Sequence, residues 1–127
     1  MNSEKYIQYH EPQRVDSLNE DEFNALPFGA IKLDIDGRIL KYNLYESRLA
    51  QRDPQEVIGQ NFFTEVAPCT NVQEFAGRYR QGIAEGKLNT TFPYRFLFPN
   101  RAINVEITLI LNADGESAWV FVKESER

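Results

Sequence analysis

The feature that most limits the fold is a two-residue alternation of apolar and polar positions over the last third of the chain. In residues 89–98 every second position is aromatic: Phe92, Tyr94, Phe96 and Phe98. In residues 102–111 every second position is aliphatic: Ile103, Val105, Ile107, Leu109 and Leu111. This period is typical of strands with one buried face. Pro93 favours an edge strand for the first run, because proline lacks the N–H that a central strand donates.

Two Asp-Gly pairs indicate further strands. A hairpin is predicted over 28–43: side chains alternate over 30–35, Asp36-Gly37 supplies the turn, and the chain returns over 39–42. Asp-Gly in this position is a strong signal for a hairpin with a two-residue turn. Asp114-Gly115 turns the chain again, ahead of a last predicted strand over 118–122.

Helical signals lie between the hairpin and the last three strands. Asn43 is a typical N-cap for a helix that reaches about Gln51, and Asp53-Pro54 is typical of a second helix start. The clearest helix is predicted over 72–86, where one stripe is apolar. That stripe consists of Val72, Phe75, Ala76, Tyr79, Ile83 and Ala84. Two strands, several helices and three strands together predict an α+β fold with an antiparallel sheet.

The N-terminal stretch is polar and carries only isolated apolar residues. Residues 1–10 are expected to fray, as unanchored termini do. Ser17 is expected to cap a short helix, with Glu20 as its capping-box partner. Because the stretch offers few apolar anchors, we expect it to dock on the rest of the fold only weakly.

The composition excludes several classes of protein. A chain of 127 residues is expected to form a single domain, and its net charge of −5 argues against nucleic-acid binding. The sequence contains neither a signal-peptide pattern nor an apolar run long enough to span a membrane, so no membrane insertion is predicted. One cysteine cannot form an internal disulfide, which fits a cytoplasmic location.

That cysteine, Cys69, lies in the stretch NFFTEVAPCT. It is either a buried, inert side chain or a thiolate that carries or attacks another group. The single histidine, His10, lies near the N-terminus. A Cys/His pair for nucleophilic catalysis is therefore not predicted, and we do not expect an enzyme.

The sequence around Cys69 resembles the photoactive yellow protein family. The residues that carry this resemblance are VIGQNFFTEVAPCTN, with YNLYESRLAQRDP before it and LNTTFPYRF and WVFVK after it. The family consists of small bacterial blue-light receptors with 4-hydroxycinnamic acid (p-coumaric acid) bound to a cysteine as a thioester. The resemblance implies a PAS fold, with a five-stranded antiparallel sheet and short helices on one face. It also implies an N-terminal helical cap over residues 1–27 and a photosensory core over 28–125.

The resemblance further implies the site residues. Cys69 would carry the chromophore, Tyr42 and Glu46 would hydrogen-bond its phenolate oxygen, and Arg52 would cover the pocket. Glu46 can donate only if it is protonated, so it is expected to be a buried neutral acid. The predicted pocket walls are Ile31, Phe62, Val66, Ala67, Thr70 and Phe96. On residue type alone, these polar residues also fit solvated surface and these apolar residues also fit plain core packing.

Two positions depart from the common family pattern. Ala50 stands where threonine is frequent, which removes a hydroxyl near Tyr42. Asn100 stands at a pocket position where methionine is frequent, which predicts slow recovery in the dark. An alternative function is a PAS module that binds a non-covalent ligand or a protein. A monomer that signals to an unidentified downstream protein is expected.

Overall fold

A five-stranded antiparallel sheet forms the frame of the computed structural model, which describes residues 11–125. The predicted fraying of residues 1–10 lies outside the described residues. The α-helices are α1 (Pro12–Asp16), α2 (Glu20–Asn24), α3 (Leu44–Ala50), α4 (Pro54–Val57) and α5 (Arg78–Glu85). The strands are β1 (Gly29–Asp34), β2 (Ile39–Tyr42), β3 (Asn89–Phe98), β4 (Arg101–Leu111) and β5 (Ser117–Glu124). Two π-helical segments (Phe62–Val66 and Gln73–Gly77) and a 3₁₀ turn (Pro68–Thr70) lie between α4 and α5.

The strand order is β2-β1-β5-β4-β3. The last strand therefore pairs with both the first strand and the fourth, and joins the two hairpins into one sheet. β3 lies at an edge, as Pro93 predicted. No helix in the described part of the chain is long and apolar enough to cross a membrane.

The turn between β1 and β2 differs from the prediction. The Gly37 N–H donates to the Asp34 carbonyl at 3.0 Å, which closes a four-residue turn, and the Asp34 N–H then donates to Arg38. The loop therefore has three residues rather than two. Gly37 has a φ of 92°, so it occupies the left-handed position that follows the turn, where glycine is favoured.

The predicted N-caps of α3 and α4 are confirmed, whereas the single helix over 72–86 is wrong. Asn43 accepts from the Glu46 N–H, and Asp53 accepts from the Gln55 N–H. The first part of the segment 72–86 is π-helical, because the Gly77 N–H reaches back five residues to the Val72 carbonyl. A π-helical turn shifts the apolar stripe relative to an α-helix. Val72 itself lies before the helix with an extended backbone, and its side chain is exposed.

The predicted cap at Ser17 is also wrong. Asn19 caps α2 in a reciprocal capping box with Glu22, whereas the Ser17 hydroxyl donates back to the Arg14 carbonyl at the end of α1. Asn19 has an extended backbone, as an N-cap requires, while Ser17 has a helical one. The side chain that starts α2 therefore lies two residues beyond the predicted one.

The sheet separates two apolar clusters. The helical-side core contains residues of α3, α4, the π-helical segments and α5, packed on Ile31, Leu33 and inward-facing residues of β3, β4 and β5. The cap-side core lies on the other face and consists of Val15, Phe23, Leu26, Phe28, Ala30, Ile110, Trp119 and Phe121. The cap thus buries Val15, Phe23 and Leu26. These apolar side chains fall on one surface, so residues 11–26 are anchored by a continuous apolar contact, while weak docking of the cap stays a prediction.

Candidate functional site

A cavity of about 540 Å³ lies between α3, the first π-helical segment, the 3₁₀ turn and the β3–β4 hairpin. This volume falls in the range of small-molecule sites. Its lining consists of Tyr42, Glu46, Ala50, Gln51, Arg52, Phe62, Glu65, Val66, Ala67, Pro68, Cys69, Phe96, Leu97, Phe98, Pro99, Asn100 and Arg101. All of the predicted site residues except Ile31 and Thr70 therefore meet at one cavity.

Those two exceptions lie next to the site but have other partners. Ile31 is fully buried in the helical-side core and pairs in register with Tyr42. The Thr70 hydroxyl donates to the Ala67 carbonyl at 2.7 Å, which closes the 3₁₀ turn around Cys69. Neither residue is in the cavity lining, so Thr70 acts on the site through the backbone of its own turn.

Cys69 lies on the 3₁₀ turn that Pro68 begins, and its thiol is free and half-buried. The Tyr94 hydroxyl on β3 donates to the Cys69 carbonyl at 2.5 Å. This bond ties the turn to the sheet and fixes the position of the cysteine backbone. Tyr94 was not predicted as a site residue, although it shares one face of β3 with Phe96, which was a usable signal.

Tyr42 and Glu46 reach the cavity because β2 runs directly into α3. Tyr42 ends β2, Asn43 caps the helix, and Glu46 follows in the first turn of α3. Glu46 is 2% exposed, and its Oε1 has no hydrogen-bond partner within the described residues. Gly29 makes this position available, because a Cβ there would overlap Oε1.

Burial controls the ionisation of this pair. Burial, with a smaller contribution from the negative charge of Glu124, raises the pKa of Glu46 from its usual 4.5 to about 8. Glu46 is therefore predominantly a neutral acid at pH 7. The pKa of Tyr42 is also raised, first by burial and then by Glu46, whereas Arg52 lowers it. The site thus keeps both groups protonated.

Arg52 bridges two walls of the cavity. Its guanidinium donates to the Val66 carbonyl at 3.3 Å and to Glu56 at 3.4 Å. The first bond joins the segment after α3 to the first π-helical segment. The covering role of Arg52 stays a prediction.

Asn100 and Ala50 both line the cavity. Asn100 belongs to the two-residue turn Pro99-Asn100 between the paired residues Phe98 and Arg101. Ala50 ends α3 and presents a methyl group where a threonine would offer a hydroxyl. Both departures from the family pattern therefore change the wall of the cavity itself.

Comparison with known proteins agrees with this geometry. The family model for the PAS fold matches residues 17–124. The photoactive yellow protein of Halochromatium salexigens is 43% identical over 107 residues, which are 84% of this chain and 86% of that protein. The photoactive yellow protein of Rhodothalassium salexigens is 44% identical over 106 residues, with 84% and 85% covered.

A solved structure shows the same fold at similar identity. The photoactive yellow protein domain of the sensor histidine kinase Ppr from Rhodospirillum centenum superposes with a TM-score of 0.86 at 43% identity. The match covers 88% of this chain and 98% of that domain. The predicted PAS fold is thus confirmed, and the chain belongs to the photoactive yellow protein family of blue-light photoreceptors.

Proposed function

We propose that this photoreceptor carries 4-hydroxycinnamic acid as a thioester on Cys69. The observation that supports the proposal is the single cavity that joins a free, half-buried thiol to a buried carboxyl whose Oε1 has no partner within the described residues. An elongated phenolic acid fits this donor set, because its carboxyl end reacts with the thiol and its phenolic oxygen accepts a hydrogen bond from a neutral acid. When bound, this group supplies blue-light absorption and a double bond that isomerises.

The protein residues hold the charge at the buried end of the site. In the dark, the Tyr42 hydroxyl and the neutral Glu46 carboxyl would each donate a hydrogen bond to the phenolic oxygen. Such charge-assisted hydrogen bonds are short and strong, and they favour an anionic partner in an otherwise apolar wall. Arg52, which donates to the Val66 carbonyl, would shield the cavity from water.

Glu46 is the proton carrier of the response. On illumination Glu46 would pass its carboxyl proton to the phenolic oxygen of the bound group, which leaves a carboxylate in a position that is 2% exposed. An unpartnered buried carboxylate is costly, so the neighbouring helices are expected to loosen in order to hydrate it. In infrared difference spectra, illumination should then remove a buried carboxylic C=O band, and Glu46→Gln should abolish that loss.

We further propose that this loosening reaches the cap and that a downstream protein reads it. The solved relative Ppr is a sensor histidine kinase, which supports a signalling partner of this general kind. Under steady illumination, amide exchange should quicken over residues 11–26 more than in β4. If the amides of residues 11–26 exchange equally slowly in light and dark, release of the cap is contradicted.

The attachment site is tested by loading the purified protein with an activated thioester or anhydride of 4-hydroxycinnamic acid. The Cys69 thiolate displaces the leaving group, so the intact mass should rise by one hydroxycinnamoyl group and the protein should turn yellow. Hydroxylamine should remove the adduct, because it cleaves thioesters. Cys69→Ala should gain no mass, and a covalent adduct on that variant would contradict the assignment.

A further inference from the structure

Arg101 lies at the start of β4, between the cavity and a second depression. It lines the cavity next to Asn100, and it also lines a groove that Asn24, Tyr45 and Glu124 border on the other side of α3. Its side chain therefore occupies the boundary between the β3–β4 hairpin and the helix that carries Glu46.

The guanidinium of Arg101 binds the end of that helix. Its Nη2 donates to the Leu49 carbonyl at 2.5 Å, across 52 positions of the sequence. Leu49 is next to last in α3, where helix carbonyls lack a partner within the helix. A cation at this end also matches the partial negative charge of the helix dipole. The bond thus satisfies an orphan carbonyl with a favourable charge.

The same guanidinium is held from the hairpin side. Its Cζ lies 4.7 Å from the centre of the Phe98 ring, within the range of a cation–π contact. Its Nε is buried and has no hydrogen-bond partner within the described residues. Since a planar guanidinium stacks and donates at once, one side chain connects the hairpin wall to the helical wall.

We propose that Arg101 is a positioning residue for the chromophore site, because it clamps the C-terminal end of α3 against the β3–β4 hairpin and so sets the width of the cavity between Glu46 and Asn100. The inference rests on the proposed function in one respect only, which is the identity of the molecule that occupies the cavity. The clamp itself is a property of the protein without chromophore. Lysine at this position would keep the charge and lose the stacked, forked geometry.

The first test measures amide hydrogen exchange in the chromophore-free protein. In Arg101→Ala, amides of α3 should exchange at least about tenfold faster, because loss of a charge-assisted bond frees the end of the helix. Amides of β5 should keep their protection. Arg95→Ala is the matched control, since Arg95 is exposed on β3 and its guanidinium contacts Asn104 at 3.4 Å. Arg95→Ala should leave α3 unchanged.

The second test is the titration of the Glu46 carboxyl by carbon NMR, again without chromophore. The charge of Glu124 acts on the pKa of Glu46, while Glu46 and Arg52 act on the pKa of the neighbouring Tyr42. A loosened wall admits water and lowers the pKa of Glu46 toward its usual value in Arg101→Ala. Simple loss of a positive charge would raise that pKa instead, so the direction separates positioning from charge. Arg101→Lys should lie between the wild-type protein and Arg101→Ala in both measurements.

Circular dichroism first establishes that each variant folds. If Arg101→Ala does not fold, Arg101→Lys decides the question by the same two measurements. Exchange in α3 that matches the Arg95→Ala control, or a pKa of Glu46 that rises, would overturn the clamp. Failure of the wild-type protein to take up activated hydroxycinnamate would instead contradict the proposed function and leave the measurements on the clamp intact.

Discussion

Both faces of the sheet bury aromatic rings, but they differ in what else they contain. The helical-side core surrounds a cavity and contains the buried acid Glu46. The cap-side core is filled by aromatic rings, with Trp119 and Phe121 stacked at 5.7 Å and Phe28 edge-on to Phe121 at 5.5 Å. β5 supplies both, since Trp119 and Phe121 point to the cap while their neighbours point to the helices. One strand therefore packs against the helical-side core with one face and against the cap with the other.

In the proposed response, the helical side of the sheet changes its charge and the cap side responds to that change. Between α4 and α5 the helical side consists of short π-helical and 3₁₀ segments, whose backbone bonds are local and few. Such segments rearrange at a lower free-energy cost than a sheet. The cap side carries three buried anchors of the cap. A charge created on the first face must therefore be transmitted around the sheet before the cap can respond.

Asn43 connects the two faces directly. Its side-chain amide donates to the Phe28 carbonyl at 2.9 Å, where the cap joins β1. Its oxygen accepts from the Ala30 N–H at 3.0 Å and the Glu46 N–H at 3.1 Å. Asn43 is fully buried. One side chain thus fixes the start of α3 to the start of the sheet.

The largest expected effect comes from a core truncation on each face. Trp119→Ala should lower the free energy of unfolding by about 3–5 kcal/mol, because it removes a fully buried ring from a dry cluster. Phe96→Ala should lower the free energy of unfolding by less, since Phe96 already borders the cavity and its removal enlarges an existing space. Urea unfolding of the chromophore-free variants measures both values. Equal losses would show that the cavity wall is packed as tightly as the cap-side core.

The regular elements were predictable because their signals are local. Alternation identified the strands, Pro93 indicated the edge, and Asn43 and Asp53 marked the helix starts. The π-helical segments were not predictable, because the bond from Gly77 to Val72 has no sequence signature of its own. The three-residue turn at Gly37 was missed because Asp-Gly occurs in hairpin loops of two residues and of three residues.

The site was predictable only in part. Cys69, Tyr42 and Glu46 were assigned through the family resemblance, since their spacing alone does not bring them to one cavity. The contact between Arg101 and Leu49 was missed because tertiary packing alone joins residues 52 positions apart. The burial of the cap was underestimated, because isolated apolar residues in a polar stretch do not reveal that they share one surface.

The second largest effect is expected from breaking the connection at Asn43. Asn43→Ala leaves the buried Ala30 N–H and Phe28 carbonyl without these partners and removes the cap of α3. The free energy of unfolding should fall by about 1–3 kcal/mol. Exchange should quicken at both the start of α3 and the end of the cap. Asn24→Ala is a comparison variant that removes a single bond, to the Leu44 N–H at 2.9 Å. A loss confined to α3 would show that the two faces do not communicate through Asn43.

A pH-dependent difference should follow from Glu46 on the helical side. Its pKa is raised from 4.5 to about 8 in the folded protein. Between these values the unfolded chain releases a proton that the folded protein keeps, so the free energy of unfolding falls as pH rises. The slope from this group is at most about 1.4 kcal/mol per pH unit. Glu46→Gln removes the titration, so its urea unfolding should depend less on pH over this interval. Parallel pH profiles for the two proteins would exclude a raised pKa.

The smallest effect is expected at the polar edge of the cap. Lys32 on β1 pairs with Asp16 of α1 at 2.9 Å, and its ammonium lies 5.8 Å from the centre of the Trp119 ring. Both side chains are partly exposed, so the pair and the ring contact together stabilise docking of the cap by about 0.5–1 kcal/mol. Lys32→Gln should therefore raise amide exchange over residues 11–26 about two- to fivefold. Exchange in α3 should stay the same, because Lys32 contacts only the cap side. The increase should also shrink at high salt, which screens the pair in the wild-type protein. If α3 loosens to the same extent as the cap, the two faces behave as one cooperative unit and the difference between them is only one of composition.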